Sequence, residues 1–170
     1  MNRLRVSNSN SELTVREIHP SDDPQLEALI KAVMTEIGAS GEGYSIHDPE
    51  VLAMSQNYGG PRSGYFVLIR GNQVLGGAGF AQLTDASETT CELRKMYFSP
   101  AARGRGKAQE MLNLIFDRAR KAGYTKMYLE TIASATAARK LYERNGFVQI
   151  GCAEGNTGHS GCDTFYDREL

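Results

Sequence analysis

The sequence is poor in cysteine and has no cysteine pair at metal-binding or redox spacing. Its three cysteines, Cys91, Cys152 and Cys162, are odd in number and form no Cys-x-x-Cys motif. This usage argues against a disulfide-stabilised secreted domain and against a zinc site, whereas it fits a reducing compartment. We therefore expect a cytoplasmic protein without a metal.

The sequence also lacks an excess of charge of one sign and any long hydrophobic run. Nineteen Lys and Arg residues against twenty Asp and Glu give a formal net charge of −1. This balance argues against a surface that binds nucleic acid throughout. No segment approaches the roughly 18 apolar residues of a membrane-spanning helix, and the polar start resembles no secretion signal. We expect neither nucleic acid nor membrane as a partner.

What is present favours one mixed α/β domain. The chain has 170 residues, 41% of them hydrophobic, which is enough for a sizeable core. Residues 1–11 are rich in Asn and Ser and are expected to be a flexible tail before a single domain at 12–170. The hydrophobic periods predict, in order, a strand, helices, three strands, a helix, a strand, a helix and final strands.

The later elements can be given bounds from their periodicity and their turn residues. The residues at 38–63 form a long region rich in Gly, Ser and Tyr, of a length typical of functional loops. Ser134 is expected to cap the second long helix. The predicted strands are 65–69, 73–83, 90–98, 126–131, 147–150 and 162–168, and the two long helices are 106–122 and 135–145.

The most informative segment is 103–108, which opens the helix at 106–122. Helix N-termini carry free amide donors and a partial positive charge, so acidic residues are usual in the first turn. Here the turn has three cations and two glycines, which are Arg103, Arg105, Lys107, Gly104 and Gly106. Cations at this end destabilise a helix unless an anion binds, so the segment predicts a phosphate or pyrophosphate site. A plain glycine turn with solvated cations is the alternative.

Two widespread phosphate motifs do not match this turn. A P-loop requires Gly and then Ser or Thr at positions where this chain has Ala101 and Ala108. A dinucleotide fingerprint requires a third glycine where Gln109 stands. A nucleotide-binding regulator that uses the same basic turn stays open.

The turn resembles motif A of the GNAT acetyltransferases, Arg/Gln-x-x-Gly-x-Gly/Ala, through Arg103, Gly106 and Ala108. The resemblance in element order covers roughly residues 13–150. It implies a GNAT-like mixed, mostly antiparallel twisted sheet with helices on both faces and a splayed parallel strand pair that holds coenzyme A. It also implies acetyl-CoA as cosubstrate, with its pyrophosphate bound by residues 103–108.

The strand at 90–98 changes phase within its length. Cys91 and Leu93 place apolar side chains at odd positions, whereas Met96 and Phe98 place them at even ones. A slip of one residue predicts a β-bulge, and a partly exposed strand edge is the alternative. GNAT enzymes have a bulge at this place, so the resemblance implies that the pantetheine arm pairs with the backbone of Met96, Tyr97 and Phe98.

Glu92 and Arg94 share the polar face of the same strand. An alkyl amine is protonated at neutral pH and attacks only after losing a proton, which a nearby carboxylate can accept. Glu92 stands where some GNAT enzymes have their general base, and Arg94 is a candidate substrate residue. The alternative for Glu92 is an ion pair with Arg94 or Lys95.

The second long helix also resembles the family, through a pattern that comprises Ala138, Leu141, Tyr142, Gly146 and Phe147. The resemblance implies that Tyr142 contacts the cofactor and protonates the departing thiolate, for which a neutral phenol is suited. A buried core tyrosine is the alternative. The chain departs from the family at Ala135, where many relatives have Asn. Thr131 and Ser134 are further expected cofactor contacts, and Thr136 is an alternative to Ser134.

Two other groups bear on the mechanism. Cys91 is expected in the core, because it lies on the face away from Glu92 and no histidine is near it in sequence, so attack by the amine is direct rather than through an acyl-cysteine. The Gly-rich loop at 155–163 leads to the last strand, and His159 and Asp163 are candidate substrate residues there. A flexible solvent loop is the alternative.

The expected function is transfer of the acetyl group of acetyl-CoA to a primary amine, in a small molecule or amino acid. Acetylation of a protein N-terminus or lysine is one alternative. A non-catalytic acyl-CoA sensor is another, although the presence of both Glu92 and Tyr142 disfavours it. A homodimer is left open, since the C-terminal strand, expected at a sheet edge, is the one indication of pairing.

Overall fold

The computed structural model describes residues 12–170, so the expected tail at 1–11 lies outside the described residues. The strands are β1 (Leu13–Glu17), β2 (Gly64–Arg70), β3 (Gln73–Gln82), β4 (Thr90–Phe98), β5 (Lys126–Thr131), β6 (Val148–Ile150) and β7 (Thr164–Glu169). The helices are α1 (Asp23–Glu36), α2 (Met54–Asn57), α3 (Lys107–Lys121) and α4 (Thr136–Arg144). Short 3₁₀ turns lie at Pro20–Asp22, Ser45–His47, Pro49–Leu52 and Pro100–Ala102.

The seven strands form one mixed sheet in the order β1-β2-β3-β4-β5-β7-β6. Within the described chain β4 and β5 are the parallel neighbours, and the other pairs are antiparallel. The parallel pairing covers only Thr90–Glu92 against Lys126–Tyr128, after which the two strands separate. The predicted splayed pair and fold class are therefore confirmed.

Helices cover both faces of the sheet, so β2 buries its alternating side chains in two separate hydrophobic clusters. Tyr65 and Val67 pack in a cluster with the apolar residues of α1 and α2. Phe66 and Leu68 point the opposite way, into a larger cluster with the apolar residues of α3 and with Tyr142 of α4. With both faces buried, β2 is a continuous apolar run.

The predicted bulge in β4 is confirmed, and Lys95 is its central residue. Gly77 pairs with Tyr97 and Gly79 with Arg94, so the register slips between these two pairs. Lys95 has φ of 50°, the left-handed region that costs a residue with a side chain roughly 1–2 kcal/mol. The hydroxyl of Tyr65 donates a 2.7 Å hydrogen bond to the Lys95 carbonyl, which stabilises this conformation.

Two local predictions are wrong. Ser134 does not cap α4: the cap position is Ala135, without a side-chain hydrogen bond, because Ser134 is part of a turn in which its carbonyl accepts from the Thr136 amide. The last strand, β7, is not an edge, because the chain after α4 returns as β6 and covers its outer side. The indication of a dimer through that strand is thereby removed.

None of the described helices has both the length and the apolar character needed to cross a membrane.

Candidate active site

A cavity of about 860 Å³ opens where β4 and β5 separate. It is bordered by the turn before α3, the second half of β4, the end of β5 and the start of α4. Among the residues predicted from the sequence, those that line it are Glu92, Arg94, Met96, Tyr97, Phe98, Arg103, Gly104, Arg105, Gly106, Lys107, Ala108, Thr131, Ser134, Tyr142 and His159. The structure thus brings together residues from five separate segments of the chain.

The turn before α3 presents free backbone donors. Gly104 and Gly106 have φ of +71° and +72°, and a Cβ at either position would have no atom within 4 Å on the described chain. The first helical amide to donate is that of Glu110, to the Gly106 carbonyl at 3.1 Å. Within the described residues, the amides of 104–109 donate to no backbone carbonyl. This geometry fits a phosphate or pyrophosphate.

The basic side chains of the turn have different roles. Arg103 forms a two-pronged ion pair with Glu36 of α1, at 2.7 and 2.9 Å, and also donates to the Phe98 carbonyl at 3.0 Å. Lys107 pairs with Glu110 at 2.6 Å. Arg105 is exposed and forms no ion pair within the described part of the chain. Arg103 therefore fixes the turn against α1, and Arg105 is the cation left for an anion.

Glu92 has the features of both alternatives that the sequence allows, a general base and a partner in an ion pair. Its side chain is buried and lines the cavity, and Oε2 accepts a 2.6 Å hydrogen bond from Nε of Arg94. Arg94 also donates to the Gln82 carbonyl at 3.1 Å. Burial raises the pKa of the Glu92 carboxyl, and the Arg94 charge only partly opposes this. The ion pair exists, and the carboxylate is also a stronger base than an exposed glutamate.

A second ionic group, which was not predicted, lies nearby around the buried side chain of Lys95. Nζ of Lys95 lies 2.6 Å from Oδ2 of Asp48 and 2.8 Å from Oε1 of Glu50. Burial alone would lower the pKa of Lys95, but the two carboxylates outweigh burial and raise it. Tyr58 donates to the same Glu50 oxygen at 3.1 Å. The long region at 38–63 was the signal in the sequence, although it did not identify these residues.

His159 reaches the same group from the C-terminal loop. Its Nε2 lies 2.8 Å from Oδ2 of Asp48, and its backbone amide donates to Oγ1 of Thr157 at 3.2 Å. The loop is also joined to the region at 38–63, because the Gly161 amide donates to the Gly43 carbonyl at 2.9 Å. The loop is thus held against the region at 38–63, and His159 and Cys162 from it line the cavity.

Asp163 is placed elsewhere. Its Oδ1 accepts a 2.7 Å hydrogen bond from the Ala133 amide and one of 2.9 Å from the Thr164 hydroxyl. It is exposed and does not belong to the cavity lining formed by residues 12–170. Its carboxylate fixes the connection between β5 and α4.

Tyr142 is both a core residue and a cavity residue. The residue is 7% exposed, and its ring packs against Phe147 and Tyr166 with centroid distances of 5.8 and 6.3 Å. Tyr142 lines the cavity, and its hydroxyl has no hydrogen-bond partner among the described residues. Burial raises the pKa of Tyr142 well above the ordinary tyrosine value, so the hydroxyl is protonated at neutral pH.

The two partly or fully buried thiols are not activated. Cys91 is a core residue, as predicted, and burial raises its pKa to about 12. Cys162 lines the cavity, and burial raises its pKa to about 12 as well. A thiolate is the reactive form of cysteine, so neither residue is a good nucleophile at neutral pH. Among residues 12–170 no group of three or more His, Cys, Asp or Glu side chains is arranged to hold a metal ion.

This arrangement matches a known family. The model of the acetyltransferase (GNAT) family matches residues 27–147, which include the turn, the bulged strand and Tyr142. The chain belongs to the GNAT acetyltransferase family. It is similar to the uncharacterized N-acetyltransferase YjgM of Escherichia coli (strain K12), with 38% identity over 157 residues, 92% of this chain and 94% of YjgM. As a member of this family the chain is an acyltransferase enzyme, as predicted.

Solved GNAT structures show the same fold at low identity. A GNAT-family acetyltransferase from Staphylococcus aureus Mu50 is 19% identical with a TM-score of 0.82, covering 94% of this chain and 99% of that one. YncA of Salmonella typhimurium, a proposed acetyltransferase in complex with its cofactor acetyl-CoA, is 20% identical with a TM-score of 0.73, covering 94% and 95%. The fold of this GNAT member is thus shared across nearly the whole chain.

Proposed function

We propose that this GNAT member transfers the acetyl group of acetyl-CoA to a primary amine of a small molecule, by direct attack while both substrates are bound. The observation that carries the proposal is a single cavity that contains both a site for the cofactor and a base for the acceptor amine. One end is the turn at 103–109 with its free amides, and the other is the buried carboxylate of Glu92. Tyr142 lines the same cavity.

The residues present fit coenzyme A. The free amides at 104–109 and the side chain of Arg105 would hold the pyrophosphate. Beyond Glu92, β4 pairs with β3 on one edge and with no described strand on the other, so the backbone of 96–98 would hold the pantetheine arm. Thr131 and Ser134 line the cavity close by. When bound, acetyl-CoA supplies an activated acetyl thioester.

Two side chains of this chain would move the protons. The Glu92 carboxylate, with its raised pKa, would accept a proton from the ammonium group of the acceptor, directly or through water. The Tyr142 hydroxyl, which is protonated and without a described partner, would supply a proton to the departing sulfur. Arg94 orients the Glu92 carboxylate through its hydrogen bond to Oε2.

The shape of the acceptor end favours a small molecule over a protein segment. The loop at 155–163 and the region at 38–63 meet through the Gly161–Gly43 hydrogen bond. The contact is tight, because a Cβ at Gly43 would lie 2.5 Å from Oγ of Ser160. A peptide acceptor needs an open groove, whereas the two joined segments contribute Tyr44 and His159 to the cavity lining. The cysteine usage supports a cytoplasmic location for the reaction.

Thiol release from acetyl-CoA, measured across amines, amino acids and peptides with mass detection of the product, tests the proposal. We expect release that depends on a small amine and yields an N-acetylated product. Coenzyme A binding without release for any acceptor would instead support an acyl-CoA sensor. Displacement by adenosine diphosphate as readily as by coenzyme A would support a nucleotide-binding regulator.

A further inference from the structure

Charged side chains are distributed unevenly along the cavity. Near the start of α3 and the end of α4 the charged lining is basic, and it consists of Arg103, Arg105, Lys107 and Arg144. At the opposite end the lining includes Glu92 and Glu130, together with Arg94, Lys95 and His159. A bound acceptor meets this second set of charges, because the first set surrounds the turn proposed for the pyrophosphate.

The cations of the acceptor end are already paired. Arg94 is bound to the Glu92 carboxylate and to a backbone carbonyl. The Lys95 side chain is 2% exposed and is shared by the two carboxylates of Asp48 and Glu50. Neither cation is left to bind a carboxylate of the acceptor. An acidic substrate would therefore have to displace a buried ion pair, which is costly.

Carboxylates are in excess at this end. Asp48, Glu50, Glu92 and Glu130 are four carboxylates, against the two cations Arg94 and Lys95. The difference is two negative charges with His159 neutral, and one with His159 protonated. Either state of His159 leaves a negative balance, so the field at the acceptor end attracts positively charged molecules.

Glu130 is the carboxylate without a cation partner. Its Oε1 accepts a 2.8 Å hydrogen bond from the Tyr128 hydroxyl, and its Oε2 accepts one of 2.7 Å from the Thr157 hydroxyl. It forms no ion pair within residues 12–170, although it lines the cavity and is partly buried. The two neutral donors fix its orientation without neutralising its charge.

Glu130 and Glu92 lie close enough for one small acceptor to contact both. Glu92 is paired in register with Tyr128, and Glu130 lies two residues farther on the same face of β5. Two residues of a strand rise roughly 7 Å and neighbouring strands lie about 5 Å apart, so the Cα atoms of Glu92 and Glu130 are separated by roughly 8 Å or more. The two residues thus occupy two positions on one face of the open strand pair, and a short aliphatic chain can reach both. Tyr142 is a buried residue that lines the cavity, and its hydroxyl, which has no described hydrogen-bond partner, independently marks this cavity as a ligand site.

We propose that the acceptor is a small amine with a second positive charge and no carboxylate, such as an aliphatic diamine. Glu130 binds the second ammonium group while the first lies near Glu92. This inference rests on the proposed function and narrows its acceptor from amines in general to dications. It makes Glu130 a specificity-determining residue rather than a catalytic one.

Three acceptors of matched length test the charge preference. Butane-1,4-diamine, butylamine and 4-aminobutanoate share one aliphatic chain and differ only in the group at the far end. We expect kcat/KM to fall in that order, by about tenfold at each step, the size of one charge-assisted hydrogen bond gained or lost. Equal values for the three, or a preference for 4-aminobutanoate, would overturn the inference.

Glu130→Gln tests the role of the negative charge, because glutamine has nearly the same size and keeps one side-chain oxygen but is neutral. The variant should lose most of the preference for the diamine over butylamine, because KM should rise more for the diamine than for butylamine. Glu154→Gln is the matched control, because Glu154 is a neighbouring carboxylate paired with Lys126 and outside the described cavity lining. A Glu130→Gln variant with the parent's preference would overturn the role of Glu130.

Calorimetric titration of the same three compounds into the protein with bound coenzyme A keeps the inference separate from the proposed function. Tight binding of the diamine without acetyl transfer to any amine would reject the proposed acetyl transfer to an amine and retain the charge preference. Turnover of all three amines with equal affinities would retain the activity and reject the preference. Weaker binding of the diamine than of 4-aminobutanoate would reject the inference in either case.

Discussion

The Gly161 amide donates a 2.9 Å hydrogen bond to the Gly43 carbonyl, and this bond joins two loops that are far apart in the sequence. The contact leaves no space for side chains, because a Cβ at Gly161 would lie 2.7 Å from the ring of Tyr44. Tyr44 in turn lines the cavity. The joined loops therefore form one wall of the acceptor end, and that wall depends on glycine.

Replacing Gly161 with alanine should displace the Tyr44 ring and open this wall. We expect a stability loss of about 1–3 kcal/mol from overpacking, together with a higher KM for the amine. The affinity for coenzyme A should not change, because the turn at 103–109 is elsewhere in the cavity. Gly151→Ala is the control, since a Cβ there meets no atom within 4 Å on the described chain. Equal KM values for the parent and both variants would show that the loop contact does not contribute to acceptor binding.

Gly106→Val tests the turn before α3. The φ of +72° should make valine costly by roughly 1–2 kcal/mol, and the side chain would cover the free amides. We expect coenzyme A affinity to fall about tenfold or more. Gly123→Val is matched, because Gly123 follows the other end of α3 with φ of +90° and equally open space. If both variants bind coenzyme A as the parent does, the turn is not the pyrophosphate site.

Tyr142→Phe should lower turnover by roughly 10²–10⁴-fold, the usual contribution of a positioned acid. Stability should stay close to that of the parent, because the hydroxyl has no described partner. Tyr166→Phe is the reverse control, since its hydroxyl donates to Glu143 at 2.8 Å and accepts from Arg139 at 3.0 Å. It should cost about 1–3 kcal/mol and retain turnover. If turnover falls by only about twofold in Tyr142→Phe, a loss far smaller than that expected for a positioned acid, Tyr142 is a core residue alone.

Glu92→Gln should lower turnover most at neutral pH, with partial recovery at higher pH, where more of the amine arrives unprotonated. Parallel pH–rate profiles for the variant and the parent would reject Glu92 as the base, and His159 would be the next candidate.

The same variant has a second, independent readout in stability. Burial raises the pKa of Glu92 in the folded state. The carboxyl therefore stabilises the fold below its ordinary pKa, and this contribution is lost as the pH rises through the raised folded value. Unfolding free energies measured across that interval should fall less steeply with pH in Glu92→Gln than in the parent. An unchanged slope would mean that Glu92 does not titrate in this way.

Local rules explain why much of the fold was predictable. β4 and β5 have the predicted bounds, and α3 differs by one residue at each end from the predicted helix. α3 has a strong hydrophobic period and is followed by Gly123, whereas β4 is followed by Ser99-Pro100. The cap at Ser134 failed because a turn of backbone hydrogen bonds at Ala135 took its place. The edge position of β7 failed because strand order depends on pairing between distant segments, which periodicity does not reveal.

The sequence by itself determined the chemistry near α3 and on β4: glycines and cations at a helix start, a one-residue slip that produces a bulge, and a carboxylate beside it. These features depend on neighbours within a few residues, so they are visible along the chain. Only the tertiary structure decided which charges surround the proposed acceptor end of the cavity. Asp48, Lys95, Glu130 and His159 come from four segments, and their ion pairs and hydrogen bonds form only when the sheet brings those segments together. Charge balance in the cavity is therefore a property of the fold, because pairing removes some of these charges and leaves Glu130.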